Sequence, residues 1–399
     1  MKQLRRFETE NEYKEEVNNF ELPTISYTDD NEEVWICGQE NYIIATYTSL
    51  CEEVVDYDTY ICKALYSPII YIENDSIVFS GQKPEIVLKD ELLSVDETSG
   101  EATYKITLKR GYEQYDLGDV FGGLFLGSGC IYSTLKHIDF SNVHKPIINL
   151  NLDGTMLTEI VIPNTLTSID TMEEIEGVTP SYFMGGFAQN HNVTSITFED
   201  GCQLKALPMY CFICCGDNTE TIFNITIPNS IEEIGFRCFS RMKIESIFIP
   251  KSVKLIGEDI IDPDNNCDII IDNENETYHS DINKNAIIET STNNLIFANY
   301  NYNIVDEEIV KLGGQVYYNS QKITSLTLPN TLTDIGEYSI NSCGYLKTIT
   351  CYATTAPTLG SGALKHLSSN GKLRVPQGSD YSTWKSVLGS GWTVEYISE

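Results

Sequence analysis

The sequence predicts a stacked-repeat solenoid of short β-strands, joined by turns and by looped or helical returns, behind a β-rich N-terminal domain. Three observations predict it. The segment ITIPNSIEEIG ending at Gly235 is rewritten as IFIPKSVKLIG ending at Gly257 and as LTLPNTLTDIG ending at Gly336. The apolar spacing survives while the letters change, as a face buried against a neighbouring copy requires. Runs that alternate apolar and polar residues, such as IESIFI and ITSLTL, lie at matching places and carry the period of a strand.

Residues 1–130 do not follow the repeat. Thr9 to Glu12 reads as a capping box, and Tyr13, Val17 and Phe20 give a short helix an apolar face that Pro23 limits. ISYTD, EVWICG, NYIIATYTSL, SPIIYIEN, SIVFSG, EIVLKD and ATYKITLK then read as strands separated by Asn, Asp, Gly and Pro. They make a β-rich domain for anchoring or assembly, or an atypical cap for the stack. GGLFLGSG, Gly122 to Gly129, lacks the terminal Lys-Ser/Thr of a P-loop and the full dinucleotide spacing, so it reads as a junction.

Residues 131–371 carry the repeats. Counting from Pro228, Pro250 and Pro329, the third and sixth residues onward are Ile231 and Ile234, Val253 and Ile256, Leu332 and Ile335. The seventh is Gly235, Gly257 and Gly336, where a turn or a close backbone approach is expected. Pro228 to Pro250 is 22 residues, inside the leucine-rich-repeat range. Degraded copies start at Pro163 (Leu166, Ile169), Gly201 (Leu204, Leu207) and Asp306 (Ile309, Leu312, Gly313). Phe212, Phe239, Ile261, Tyr317 and Ile340 form a further apolar column eleven residues on. Proline just past a strand suits a position that owes no ladder hydrogen bond. At roughly 1.5–3 kcal/mol for each fully buried side chain, a unit gains energy only by stacking.

Residues 372–399 read as a C-terminal cap containing Trp384 and Trp392.

The motifs IPNSIEEIG (227–235), IPKSVKLIG (249–257) and LPNTLTDIG (328–336), the pair Cys238–Phe239, and the aromatic-or-apolar then cysteine spacings Phe212–Cys215 and Ile340–Cys343 resemble the BspA-type leucine-rich repeats. That family occurs in surface proteins of gut and oral bacteria and in proteins of their phages. NAIIETSTNNLIFANYN (285–301) is similar to its variant repeat, and LRVPQGSDYSTW (373–384) to its closing segment. The resemblance spans roughly Leu135 to Glu399, with departures at Thr171–Pro180 and at Asp306 in place of proline. It implies adhesion or protein interaction and carries no catalytic residues. The opening FETENEY and LPTISYTDD also resembles the start of structural proteins from phages of gut Bacteroides-like hosts.

Composition narrows the function classes. With 26 Lys+Arg against 58 Asp+Glu, the net charge of -32 repels nucleic acid and anionic membrane, and suits a cationic partner or divalent ions. A hydrophobic content of 41% makes the acidity the coat of a folded body. MKQLRRFETENEYKEE has no apolar core, so no secretory signal is visible, and no run of 18 apolar residues spans a membrane. The twelve cysteines are expected to be free, buried thiols, with Cys215 and Cys343 sharing a repeat position.

No cofactor, metal or catalytic constellation is expected. CFICC (211–215) has a Cys-x-x-Cys spacing, but no matching His/Cys pair follows. His137, His144, His191, His279 and His366 are scattered, with no recognisable nucleophile arrangement. Asp29, Asp30, Glu32 and Glu33, or Asp259, Asp262 and Asp264, read as solvated turns without EF-hand spacing. The 24 tyrosines point to an interface instead. Tyr112, Tyr115, Tyr300, Tyr302, Tyr317 and Tyr318, in loops or irregular repeats, are the expected exposed binding residues.

The leading expectation is therefore a non-enzymatic binding or structural component, foremost of a phage virion assembled in the host cytoplasm. Its partners would be a protein or glycan surface, other virion proteins among them, without nucleic acid or membrane insertion. The alternatives are a bacterial surface or secreted adhesin whose leader has been removed, and a carbohydrate-active enzyme sited in the N-terminal domain.

Overall fold

The computed structural model describes residues 57–65, 85–118, 135–169 and 185–397, with the strand backbones 4–6, 24–27, 33–37 and 42–46. The expected Thr9–Glu12 box and its helix, the runs SPIIYIEN and SIVFSG, the junction at 122–129 and the interruption at 171–180 lie outside the described residues. The chain divides into two compact units, 1–58 and 59–399.

In the first unit, Leu4–Arg6, Thr24–Tyr27, Glu33–Cys37 and Tyr42–Thr46 form one sheet in that order. The first pair is parallel and the others antiparallel.

The second unit opens with an antiparallel sheet ordered Val87–Asp96, Glu101–Leu108, Thr59–Leu65, Leu135–Asp139. EIVLKD and ATYKITLK supply the first two strands. Thr59–Leu65, TYICKAL, is a further strand beyond the expected runs. The expected boundary at 130–131 falls outside the described residues, and strands from both sides of it share this sheet.

The solenoid grows from the last of these strands. Met156 N–H donates to the Leu135 carbonyl at 2.9 Å and Thr158 N–H to that of Lys136 at 3.2 Å, leading into Glu159–Ile162, which pairs in parallel with Ser195–Phe198. The same long column continues as Phe223–Thr226, Ile244–Ile249 and Asp268–Ile271, and later as Ser325–Leu328, Thr348–Cys351, Gly371–Pro376 and Trp392–Ile397, all parallel. A second column of two-residue strands holds the sixth repeat position: Ala206–Leu207, Glu233–Ile234 and Leu255–Ile256, then Lys311–Leu312, Asp334–Ile335 and Thr358–Leu359.

The predicted register is the buried one. Ile231, Ile234, Phe239 and Val253 are wholly buried, and Ile256, Leu332 and Ile335 nearly so. Leu204, Leu207, Ile309, Leu312, Phe212, Ile261, Tyr317 and Ile340 join them. Pro250 and Pro329 are buried and Pro228 half-buried at the strand ends.

The glycine seven residues on is required by close approach alone, because its φ is not positive. A Cβ on Gly235 would stand 2.4 Å from the Met209 nitrogen, on Gly257 2.5 Å from that of Phe236, and on Gly336 2.5 Å from the Gly313 carbonyl carbon. Each glycine therefore rests on the backbone of the coil before it.

NAIIETSTNNLIFANYN forms an antiparallel hairpin, Ala286–Glu289 with Asn294–Ala298. Its side chains enter two cores, Ile287 and Phe297 one, Ala286, Ile288, Leu295 and Ala298 the other, and a bulge between Leu295 and Phe297 shifts the alternation of the second strand. Stacking nevertheless continues across this insertion. The Glu258 carboxylate lies where a Cβ on Gly314 would be, and Gln315 Nε2 donates to Glu258 Oε2 at 3.2 Å.

A further coil, unmarked by proline, starts at Ala353, with Gly360 against the Glu337 nitrogen and Leu364 buried. The closing segment then replaces a coil with the helix Ser382–Leu388. Trp384 and Trp392 are buried, and their Nε1 groups donate to the Pro357 and Ser368 carbonyls at 2.9 and 2.8 Å.

Candidate binding surface

Between its two-residue strand and the next long strand, a coil is built from residues of alternating handedness. Nine residues past the register position, Tyr210, Arg237, Asp259, Gln315 and Tyr338 have φ from 52° to 61°, and thirteen past it Cys214, Arg241, Asn319 and Ser342 have φ from 59° to 63°. Non-glycine residues enter this region at a cost. The alternation turns every second N–H toward the next coil: Tyr210, Phe212 and Cys214 donate to the carbonyls of Phe236, Cys238 and Ser240 at 2.8–3.0 Å, and Tyr338, Ile340 and Ser342 donate likewise to Ser361, Ala363 and Lys365. These inter-coil bonds offset the strain. They also fan the side chains at the ninth position onto one flank.

Arg237 is the centre of that flank. Its Nε donates to Asp259 Oδ2 at 2.7 Å, and its second terminal nitrogen to Gln315 Oε1 at 3.2 Å. The guanidinium carbon lies 4.9 Å from the Phe236 ring centroid and 5.2 Å from that of Tyr318, so the planar group touches both rings. Tyr210 packs edge-on against Phe236 at 5.5 Å. Met209 is 45% exposed beside them. Burial pushes the Asp259 carboxyl up to about 7, with Arg237 pulling the other way; the Arg237 pKa is raised by Asp259 against its own desolvation. The result is an arginine held in one orientation between aromatic rings, its side chain 28% exposed.

The six expected tyrosines separate. Tyr318 joins Arg237, and Tyr300 carries the Lys322 ammonium 4.9 Å from its ring centroid; both are half-buried, as is Tyr112. Tyr115, Tyr302 and Tyr317 are buried and are corrected accordingly. Tyr115 lies in an additional coil beneath Ile147, its hydroxyl donating to the Lys109 carbonyl at 3.2 Å. Tyr317 fills the column of Phe212 and Phe239 and donates to the Tyr302 carbonyl at 2.7 Å, while Tyr302 donates to Asp306 at 2.9 Å. Asp306, standing where other copies have proline, thus serves as an acceptor. Arg237, Phe236 and Met209 were missed because nothing local distinguishes them from other exposed repeat residues.

The acidic group at 259–264 is a set of structural acceptors, which corrects the expectation of solvated turns. Asp259 holds Arg237; Asp262 accepts from Ser240 Oγ at 2.8 Å and from the Arg241 N–H at 3.1 Å. Asp264 accepts from Ser320 Oγ and from the N–H groups of Gln321 and Lys322. Asp29, Asp30 and Glu32 lie outside the described residues. His137, His191 and His279 each pair with one carboxylate: Glu159 at 2.6 Å, Asp217 at 2.6 Å and Glu308 at 3.5 Å. Cys211, Cys214 and Cys215 of CFICC are buried free thiols whose pKa values burial raises. Among the described residues no group of three or more His, Cys, Asp or Glu could hold a metal. No helix among them is long and apolar enough to cross a membrane.

Comparison with known proteins gives one family match. The model of the BspA type leucine rich repeat region matches in six copies, over residues 184–308 and 282–385, together just over half of the chain. No curated protein matches. Among solved structures, the pneumococcal vaccine antigen PcpA aligns at 16% identity over 61% of this chain and 79% of that one, with a TM-score of 0.34. A leucine-rich repeat protein from Eubacterium ventriosum aligns at 15% identity over 65% and 71%, with a TM-score of 0.41. A leucine rich cell surface protein from Faecalibacterium prausnitzii aligns at 17% identity over 61% and 79%, with a TM-score of 0.36.

Proposed function

We propose a binding role without turnover for this chain, which belongs to the BspA-type leucine-rich repeat family. The observation that carries the proposal is Arg237, fixed between Phe236 and Tyr318 by Asp259 and Gln315 on a flank where Met209 stands exposed. Arginine, tyrosine and methionine are residue types that interfaces favour, and a side chain already held in one rotamer loses little entropy on association. The partner is a protein or glycan surface.

The setting we favour is the bacterial surface, since the repeat motifs resemble those of surface proteins. The virion remains a second reading, motivated by the opening FETENEY and LPTISYTDD, most of which lies outside the described residues. Neighbouring genes separate the two: capsid, portal and tail genes support a virion, export machinery the surface.

The experiment is affinity capture from the native source with the full chain and with Phe236→Ala plus Met209→Ala. A partner retained by the parent and lost by the variant supports the reading. A chain that captures nothing and instead processes a substrate overturns it.

A further inference from the structure

We propose that the partner docking on this flank is a protein segment rich in lysine or arginine and in aliphatic residues, and not a glycan. The inference rests on the binding reading above and adds the chemistry of the ligand.

The residue eight past each register position forms one column: Met209, Phe236, Glu258, Gly314 and Glu337. Its order is set by contacts between coils. Gly257 rests on the Phe236 nitrogen, the Glu258 carboxylate lies against Gly314, and Gln315 N–H donates to the Glu337 carbonyl at 3.0 Å. Along the stack the column therefore passes from apolar to acidic, from Met209 and half-buried Phe236 to exposed Glu258 and Glu337. Arg237 beside it does not counter that acidity, because Asp259 takes its charge at 2.7 Å.

Sugar recognition usually needs an open aromatic face. Here each ring is already engaged: Arg237 lies against Phe236 and Tyr318, Tyr210 meets Phe236 edge-on, and the Tyr338 ring, 41% exposed, lies 2.5 Å from where a Cβ on Gly362 would stand. What remains outward is the Met209 thioether, the half-buried Phe236, part of the Tyr338 ring and two carboxylates. Lysine and arginine fit that sequence of groups, since their aliphatic stems lie along apolar surface while their heads reach a carboxylate. The net charge of -32 steers such a segment toward the chain.

The test measures anisotropy of a fluorescein-labelled peptide of alternating lysine and leucine against the full chain, with a glutamate–leucine peptide and chitohexaose alongside. Glu258→Gln plus Glu337→Gln should weaken the lysine peptide about tenfold, and Phe236→Ala plus Met209→Ala similarly. Glu276→Gln plus Glu307→Gln, which removes the same charge elsewhere, should leave it nearly unchanged. Equal weakening by both charge pairs would reduce the effect to the overall field and overturn the inference. So would chitohexaose binding that the Phe236 and Met209 changes abolish, although that result would keep the binding reading. If neither probe binds and those changes also leave native capture intact, the flank reading fails as well.

Discussion

The thiol of Cys343 donates to the main-chain carbonyl of Tyr317 at 3.0 Å, and Cys215 repeats that bond to Phe187 at 3.0 Å. Both cysteines stand fourteen residues past their register positions, so the bond is a repeated joint between coils. Burial pushes the Cys343 pKa up to about 12 and that of Cys215 well above the usual thiol range. Their thiolates are thus scarce at neutral pH. Native protein treated with iodoacetamide should leave both unmodified, and unreduced mass spectrometry should find the eight described cysteines free. Protected disulfide pairs among them would contradict this. Cys343→Ala should cost about 1 kcal/mol, the size of one lost hydrogen bond.

Gly235 and Gly344 make a matched comparison. A methyl on Gly235 meets backbone atoms at 2.4 and 2.6 Å, whereas one on Gly344 meets only a glutamine oxygen at 3.9 Å. Gly235→Ala should destabilise by about 1–3 kcal/mol because two coils must separate. Gly344→Ala should fall within about 0.5 kcal/mol of the parent in urea unfolding.

Ile256 is 6% exposed in the core shared by adjacent coils. Ile256→Asp buries a carboxylate with no designed partner, and about 3–5 kcal/mol of destabilisation is expected. An unchanged thermal transition would contradict the register.

Those core positions were legible because burial constrains residue type: Ile, Val and Leu recur at fixed spacing whatever stands between them. The turn flank was not legible for the converse reason. Tyr210, Arg237, Asp259, Gln315 and Tyr338 share a left-handed backbone but no one side-chain type, and the N–H groups of Tyr210, Arg237, Gln315 and Tyr338 donate to carbonyls of the next coil whatever the side chain. Arg237 and Gln315 meet across 78 residues, a distance no local pattern bridges. Tyr115 and Tyr317 misled because a tyrosine with a satisfied hydroxyl fills an apolar column as phenylalanine does. The coil at Ala353 was hidden by its lack of proline and of a bulky residue at Ala356.

Asp153 should make stability fall as pH rises. Burial raises its pKa to about 7, and among the described residues its Oδ1 has no hydrogen-bond partner. From the ordinary carboxylate range up to about 7 the folded chain keeps a proton that the unfolded chain releases, so this contribution weakens folding progressively through that window. Asp153→Asn should raise the urea midpoint at pH 8, change little below pH 4, and flatten the slope between. A steeper slope in the variant would contradict the assignment.

Arg237 and Asp259 should behave as one unit. Removing the guanidinium leaves a carboxylate that is only 5% exposed, near Asp262 and Glu258, without its cation. Arg237→Ala should therefore cost about 3 kcal/mol at pH 8. At pH 5 the loss should be smaller, because a carboxyl whose pKa burial holds at about 7 is already largely protonated in the parent and leaves no buried charge when the guanidinium is removed. Asp259→Asn in the same chain should recover part of the loss, giving a double-mutant coupling of about 1–3 kcal/mol in urea unfolding. Losses that simply add, with the same size at both pH values, would mean that the pair does not organise the flank, and Tyr318 and Phe236 would then need another support.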